Sequence, residues 1–141
     1  MKVNKNFPCQ GDIVKIEAEP HAGHEWGGHN PQSGNNERRM LVVSATPYNQ
    51  QTGFIVAMPI TTSSKYEHDK HYKPILISGD RNTGVKGYVC LYQVLNYDYE
   101  ARNGQIMNHV SMQYLDQIIP YVKAIFDFKW FIKCFKLSIM N

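Results

Sequence analysis

Apolar and polar positions alternate along the chain from Gly11, with Val14, Ile16 and Ala18 set against Lys15, Glu17 and Glu19. A period of two predicts a half-buried strand, and Pro20 ends it. Residues 21–37 have no apolar periodicity and are dense in Gly, Asn, His, Pro and Ser, so they are expected to form a long, mobile loop. Met40 to Val43 is a continuous apolar run, the mark of a strand buried on both faces. Pro47 to Gly53 reads as a turn, after which Phe54 to Ile60 pairs back antiparallel as a hairpin. Ser63 to Lys73 is charged and exposed, Pro74 to Ser78 a short strand, and Gly79 to Gly84 another turn. Gly87 to Val94 is expected as a longer strand and Gln105 to Val110 as a last short one.

The pattern then changes period. Ser111 is a good helix N-cap, and Leu115, Ile118, Ile119, Val122, Ile125 and Phe126 fall on one helical stripe. Pro120 lacks a backbone donor and crowds the preceding turn, so a kink or restart is expected there. Mostly strands followed by one amphipathic helix predict a mainly β fold, a small curled antiparallel barrel with a C-terminal helix packed on it. No internal repeat is visible.

Composition narrows the class. A chain of 141 residues with 43% hydrophobic and 19% charged residues is long enough for one core and is globular rather than disordered. The net charge of +3 permits a polyanionic partner without demanding one. Cys9, Cys90 and Cys134 are widely spaced and odd in number, which reads as free thiols in a reducing compartment. No apolar run approaches the ~18 residues of a membrane span, and no signal-peptide core is present, so the cytoplasm is the expected location.

The chemistry concentrates between Gly23 and Thr62. Two strands joined by a turn bring histidine, glutamate, arginine and threonine to strand ends and the preceding loop, an inventory suited to chemistry on a phosphate. His21, His24 and His29 lie close in sequence, but without a cysteine or a helical His-x-x-x-His they make a poor metal set. Trp26, Tyr48, Tyr66 and Tyr72 have rings that stack on unpaired bases, although core packing explains them equally well.

Several motifs occur in one order: Gly11-Asp12-Ile13-Val14, Gly23-His24-Glu25, Arg38 ahead of Leu41-Val42-Val43-Ser44, Tyr48-Asn49, Thr52-Gly53 and Pro59-Ile60-Thr61. Gly87, Gln93-Val94 and Ala101-Arg102 follow. In this order the chain resembles the MazF/PemK (Kid) toxins of bacterial toxin–antitoxin pairs, over roughly residues 11–126. The resemblance implies an SH3-like barrel with a C-terminal helix, a homodimer, and a metal-independent, cofactor-free endoribonuclease that cuts single-stranded mRNA at short sequences. It also implies a small acidic antitoxin as partner, with the complex of the two binding operator DNA.

By the same resemblance Arg38 is the catalytic arginine and Thr61 the active-site threonine. Metal-free RNA cleavage uses the neighbouring 2′-hydroxyl as nucleophile, so proton transfer and charge stabilisation are both required. The fork of Arg38 suits phosphate oxygens. His24 is of the type that exchanges protons near neutrality. Glu25 is placed to accept a proton or to hold Arg38. Arg39, Trp26, Thr62, Tyr48 and Gln93 are the expected substrate-binding residues.

The chain departs from the family pattern in places. Arg39 stands where the usual member has proline, and Asn30 to Glu37 is inserted. A register through His29-Asn30-Pro31 would put asparagine at the arginine's place. Arg38 is preferred because Leu41 to Ser44 then falls in step with the strand. Cys90 and Tyr92 occupy positions where some members carry an arginine and an aspartate, which moves the burden to His24, Glu25, Arg38 and Thr61. Residues 1–126 thus read as the barrel domain. Residues 127–141 read as a basic, aromatic amphipathic tail, more suited to docking on the barrel or dimer mate than on a membrane surface. The competing reading is a non-catalytic toxin-fold module that binds an antitoxin, or, more remotely, a relative of the gyrase poison CcdB.

Overall fold

The structure is a computed structural model that describes residues 6–127. Its strands run β1 (Asp12–Glu17), β2 (Glu37–Val42), β3 (Phe54–Thr61), β4 (Tyr72–Ile77), β5 (Val85–Cys90), β6 (Leu95–Asp98) and β7 (Gln105–His109). Helix α1 (Thr46–Thr52) lies between β2 and β3, and α2 (Met112–Ile125) follows β7. The strands form one antiparallel sheet in the order β4-β5-β3-β2-β1-β7, with β6 also on β3. Strand β3 is the hub. Its start pairs with β6, its centre with β2 and its end with β5, so the sheet curls around it as a half-barrel.

Curling lets both faces of the sheet be buried, which is why the central strands are apolar without alternation. On one face Ile13, Leu41, Val43, Met58, Ile60, Val89 and the α2 residues Leu115 and Ile118 form a core. On the other, Val14, Ile16, Met40, Val42, Ile55 and Ala57 pack with Tyr97 and Tyr99. Ile13 and Val14 are both fully buried because successive side chains of β1 enter the two cores, and the β1–β7 register shifts between them. Ser111 caps α2 as expected, its Oγ accepting from the Tyr114 amide at 3.1 Å.

Three expectations are corrected. The segment around Pro47 to Gly53 is not a turn but the seven-residue helix α1. Pro47 sits in the first turn, where its missing donor costs nothing, and Gly53 closes the helix in the left-handed region at φ 75°. Fully buried Asn49 ties α1 down through Nδ2 to the Pro8 carbonyl at 3.0 Å and by a bond from Ser44 Oγ. The strand expected over Gly87 to Val94 begins at Val85 and ends at Cys90, and a separate strand, β6, runs over Leu95–Asp98. The chain must leave β5 to reach the other end of β3. Helix α2 runs unbroken through Pro120, whose ring lies on the exposed side. The expected tail beyond residue 127 lies outside the described residues.

Candidate functional site

The alternation of β2 sends its two arginines to opposite faces. Arg38 pairs with Ile16 and shares the face of Val14 and Met40, whereas Arg39 pairs with Lys15. Arg38 is therefore inside, 6% exposed, at the end of the second core. Its Nε donates to the Gly27 carbonyl at 2.7 Å, Nη2 to Gly28 at 2.9 Å and Nη1 to Ile60 at 3.1 Å, and the guanidinium lies 4.9 Å from the Trp26 ring centre. Burial lowers its pKa, partly offset by the negative charge of Glu19. Two N–H bonds of the fork remain after those three.

Loop 21–37 is thus pinned from below. Gln93 reinforces it from β5's end, accepting from the Trp26 amide at 3.0 Å and donating to the His24 carbonyl at 2.9 Å. Trp26 Nε1 donates to Tyr72 Oη at 3.3 Å, and Tyr72 stacks on Tyr66 at 4.1 Å. Burial of Tyr72, with its bond to Tyr92, raises the phenol's pKa well above the usual range. The inserted part closes on itself through the Asn30–Asn35 bridge around a single 3-10 turn at Pro31–Ser33. Gly28 is required for this closure, since a Cβ there would lie 2.5 Å from Asn36 Cα.

Two grooves meet at Arg38 and His29. The first is lined by Lys15, Arg38, Arg39, Thr62 and Lys86, with Glu37 as its acid. Glu37 pairs with Lys15 at 3.4 Å, leaving an excess of cations. Arg39 braces its far wall by donating to the carbonyls of Arg81, Asn82 and Gly84. The second groove lies over the loop and includes His21, His24, Glu25, Trp26, Arg38 and Tyr66.

The sequence-expected residues are distributed as follows. Arg38, Arg39 and Thr62 line the first groove, and Arg38, His24, Glu25 and Trp26 the second. Thr61 is buried at the end of β3, next to the Ile60 carbonyl that Arg38 holds, and its Oγ1 accepts from the Ser63 amide at 3.2 Å. Glu25 does not hold Arg38. Its Oε1 caps the Ala22 amide at 2.8 Å, and the carboxylate acting on Arg38 is Glu19. Tyr48 lines neither groove and instead accepts from Asn96 at 3.2 Å on the outer surface. Gln93 faces the loop backbone. Among the described residues no three His, Cys, Asp or Glu side chains converge as a metal set.

The sequence reading gave no site role to Lys15, Lys86 or Glu19, and weighed His21 only as a poor metal ligand. Lys15 had a signal, since strand alternation puts it outward beside any neighbour on the same face. Lys86 had none, because its approach depends on Gly87. A Cβ at Gly87 would lie 2.3 Å from the Thr61 carbonyl, so only glycine lets β5 come this close to the end of β3.

Comparison with known proteins agrees with this architecture. The chain is 31% identical over 84 residues to the endoribonuclease toxin MazF of Escherichia coli (strain K12), a stretch covering 59% of this chain and 64% of that protein. The match thus spans a little under two thirds of that relative's length. The crystal structure of MazF from Deinococcus radiodurans superposes with a TM-score of 0.66 at 23% identity, covering 85% of this chain and 96% of the other. MazF in the same organism's MazE–MazF complex gives 0.61 at 21% identity, over 84% and 95%. The sequence profile of the PemK-like, MazF-like toxins of type II toxin–antitoxin systems matches residues 9–126. With a match over most of its length, the chain belongs to that PemK/MazF toxin family.

Proposed function

We propose that this protein is the toxin of a type II toxin–antitoxin pair and a metal-independent endoribonuclease that cuts single-stranded mRNA by attack of the 2′-hydroxyl. The observation that carries the reading is the first groove, where Lys15, Arg38, Arg39 and Lys86 surround Thr62. Four cations against one acid suit a phosphate backbone and steer a polyanion toward the cleft. Beside it, the second groove supplies aromatic surface at Trp26 and Tyr66 for unpaired bases and imidazoles for proton transfer. Arg38 stabilises the charge on phosphorus with its two remaining donors, Thr62 orients a phosphate oxygen, and Thr61 fixes the strand end that carries it. The same cationic groove suits an acidic antitoxin, which would compete with RNA for it. The functional unit is a homodimer, and the compartment is the cytoplasm.

The test is incubation of an mRNA transcript with the purified protein in EDTA, followed by mapping of the cut ends. Cleavage that persists and leaves a 2′,3′-cyclic phosphate supports the reading, and strict dependence on magnesium overturns it. Arg38→Ala should remove the cut, because loss of one such donor costs about 2.7–4 kcal/mol of transition-state stabilisation. A second reading has an observation of its own. Three donors of Arg38 are committed to carbonyls, the geometry of a strut. In that case the chain binds antitoxin without cutting, and RNA stays intact while the antitoxin complex forms.

A further inference from the structure

The expected proton-transfer group, His24, is not oriented by its surroundings. Only its backbone carbonyl is engaged, by Gln93, and its side chain is exposed. His21 is different. Its Nδ1 lies 2.6 Å and 2.8 Å from the two oxygens of Glu19, a residue just beyond β1. The same carboxylate accepts the Gly28 amide at 2.8 Å, and the Gly28 carbonyl in turn receives Arg38 Nη2. The pair packs over Gly27, where a Cβ would fall 1.8 Å from Glu19 Oε2 and 2.3 Å from His21 Nδ1. Glycine at 27 therefore lets one carboxylate seat the imidazole above the peptides that hold the arginine.

We propose that His21 is the base of the cleavage reaction and Glu19 its positioning residue. This rests on the endoribonuclease reading above. A carboxylate on Nδ1 fixes the tautomer with the proton there and leaves the Nε2 lone pair free, and it stabilises the imidazolium once formed. His21 and Arg38 line the same groove, so a scissile phosphate bound at the arginine brings its neighbouring ribose toward the imidazole. Nε2 takes the proton of the 2′-hydroxyl as the O2′–P bond forms. The P–O5′ bond breaks, its electron pair leaves on O5′, and O5′ takes a proton from water. The imidazolium returns its proton to the resulting hydroxide. The charged and titratable groups around His21 in this groove are Glu19, His24, Glu25, His29, Arg38 and Tyr66.

The experiment compares the full chain with His21→Asn, Glu19→Gln and His24→Asn on a single-stranded mRNA transcript, at single turnover and across the neutral pH range. His21→Asn is expected to lose about 10²-fold or more in rate, the range for general acid–base catalysis, with RNA affinity and thermal midpoint unchanged. Glu19→Gln should lose less, because the imidazole stays in the groove but its Nδ1 proton is no longer held. A purely structural role would shift the melting point and leave the tautomer of His21 unchanged. His24→Asn, which leaves the seated imidazole in place, should lose less than His21→Asn. A His21→Asn variant as fast as wild type, or the deep loss at His24 instead, overturns the proposal. Nitrogen-15 spectra of the histidines form a second arm that needs no cleavage. If wild type leaves RNA intact, the endoribonuclease reading and the base role of His21 fall together. The seating by Glu19 is then judged by whether the His21 proton prefers Nδ1 in wild type and loses that preference in Glu19→Gln. Absence of the preference overturns the pairing itself.

Discussion

Arg38→Ala should destabilise the fold as well as the site, and the size follows from its contacts. The guanidinium holds three backbone carbonyls, two of them in loop 21–37 and one at the end of β3. Hydrogen bonds from charged donors contribute about 1.5–3 kcal/mol each, which sets a ceiling of roughly 4.5–9 kcal/mol for three. Two terms reduce it. The cation is desolvated, because Arg38 is almost fully buried, and the substitution removes that cost. Water also reaches the Gly27 and Gly28 carbonyls once the loop is released. A net loss of about 3 kcal/mol remains, at the lower end of what removing one partner from a buried charged network costs. With a urea slope of about 1.5 kcal/mol/M, the unfolding midpoint should fall by roughly 2 M. Arg39→Ala, whose partners are carbonyls of the 81–84 turn, should lose about 1 kcal/mol or less. Urea titration followed by tryptophan fluorescence measures both. If Arg38→Ala unfolds at nearly the wild-type midpoint, or Arg39→Ala loses more, the strut is not what holds the loop.

Other outcomes follow from single contacts. Gly28→Ala places a Cβ against the Asn36 backbone, so the loop should open and the amides of Asn30 and Asn35 should lose hydrogen-exchange protection; retained protection would show that the backbone can yield. The Glu19 carboxyl is held below its usual range, first by the Gly28 amide and then by His21. Its contribution to stability is therefore present above about 4.5 and is lost as pH falls through the lower folded value. Loop protection should decline below that pH in wild type, and Glu19→Gln should show no such transition. Ser111→Ala removes the α2 cap and should cost about 1 kcal/mol in thermal or urea unfolding. Pro120→Ala restores a backbone donor on an exposed face and should raise stability by up to about 3 kcal/mol; a fall would mean that the proline ring packs.

Local periodicity determined much of this protein. The alternation in β1, the apolar runs of β2 and β3, the Ser111 cap and the stripe of α2 all rest on contacts within a few residues or on one buried face. Ordered motifs carried the family, and with it Arg38 and Thr61 as residues to examine. Tertiary structure decided the rest. The segment at Pro47 reads as a turn because proline and glycine bracket it, yet burial of Asn49 against Pro8 and Ser44 makes it a helix. Which of two adjacent arginines faces inward is a matter of register with Ile16 and Lys15, and register is set by the partner strand. The seating of His21 by Glu19 spans only two positions, but it exists because Gly27 and Gly28 fold back over the end of β1 under the pull of Arg38. The cationic groove likewise gathers Lys15, Arg39 and Lys86 from three strands that meet only when the sheet curls. Sequence spacing carries information about one strand or one helix at a time, and a site assembled across several becomes legible only when they pack.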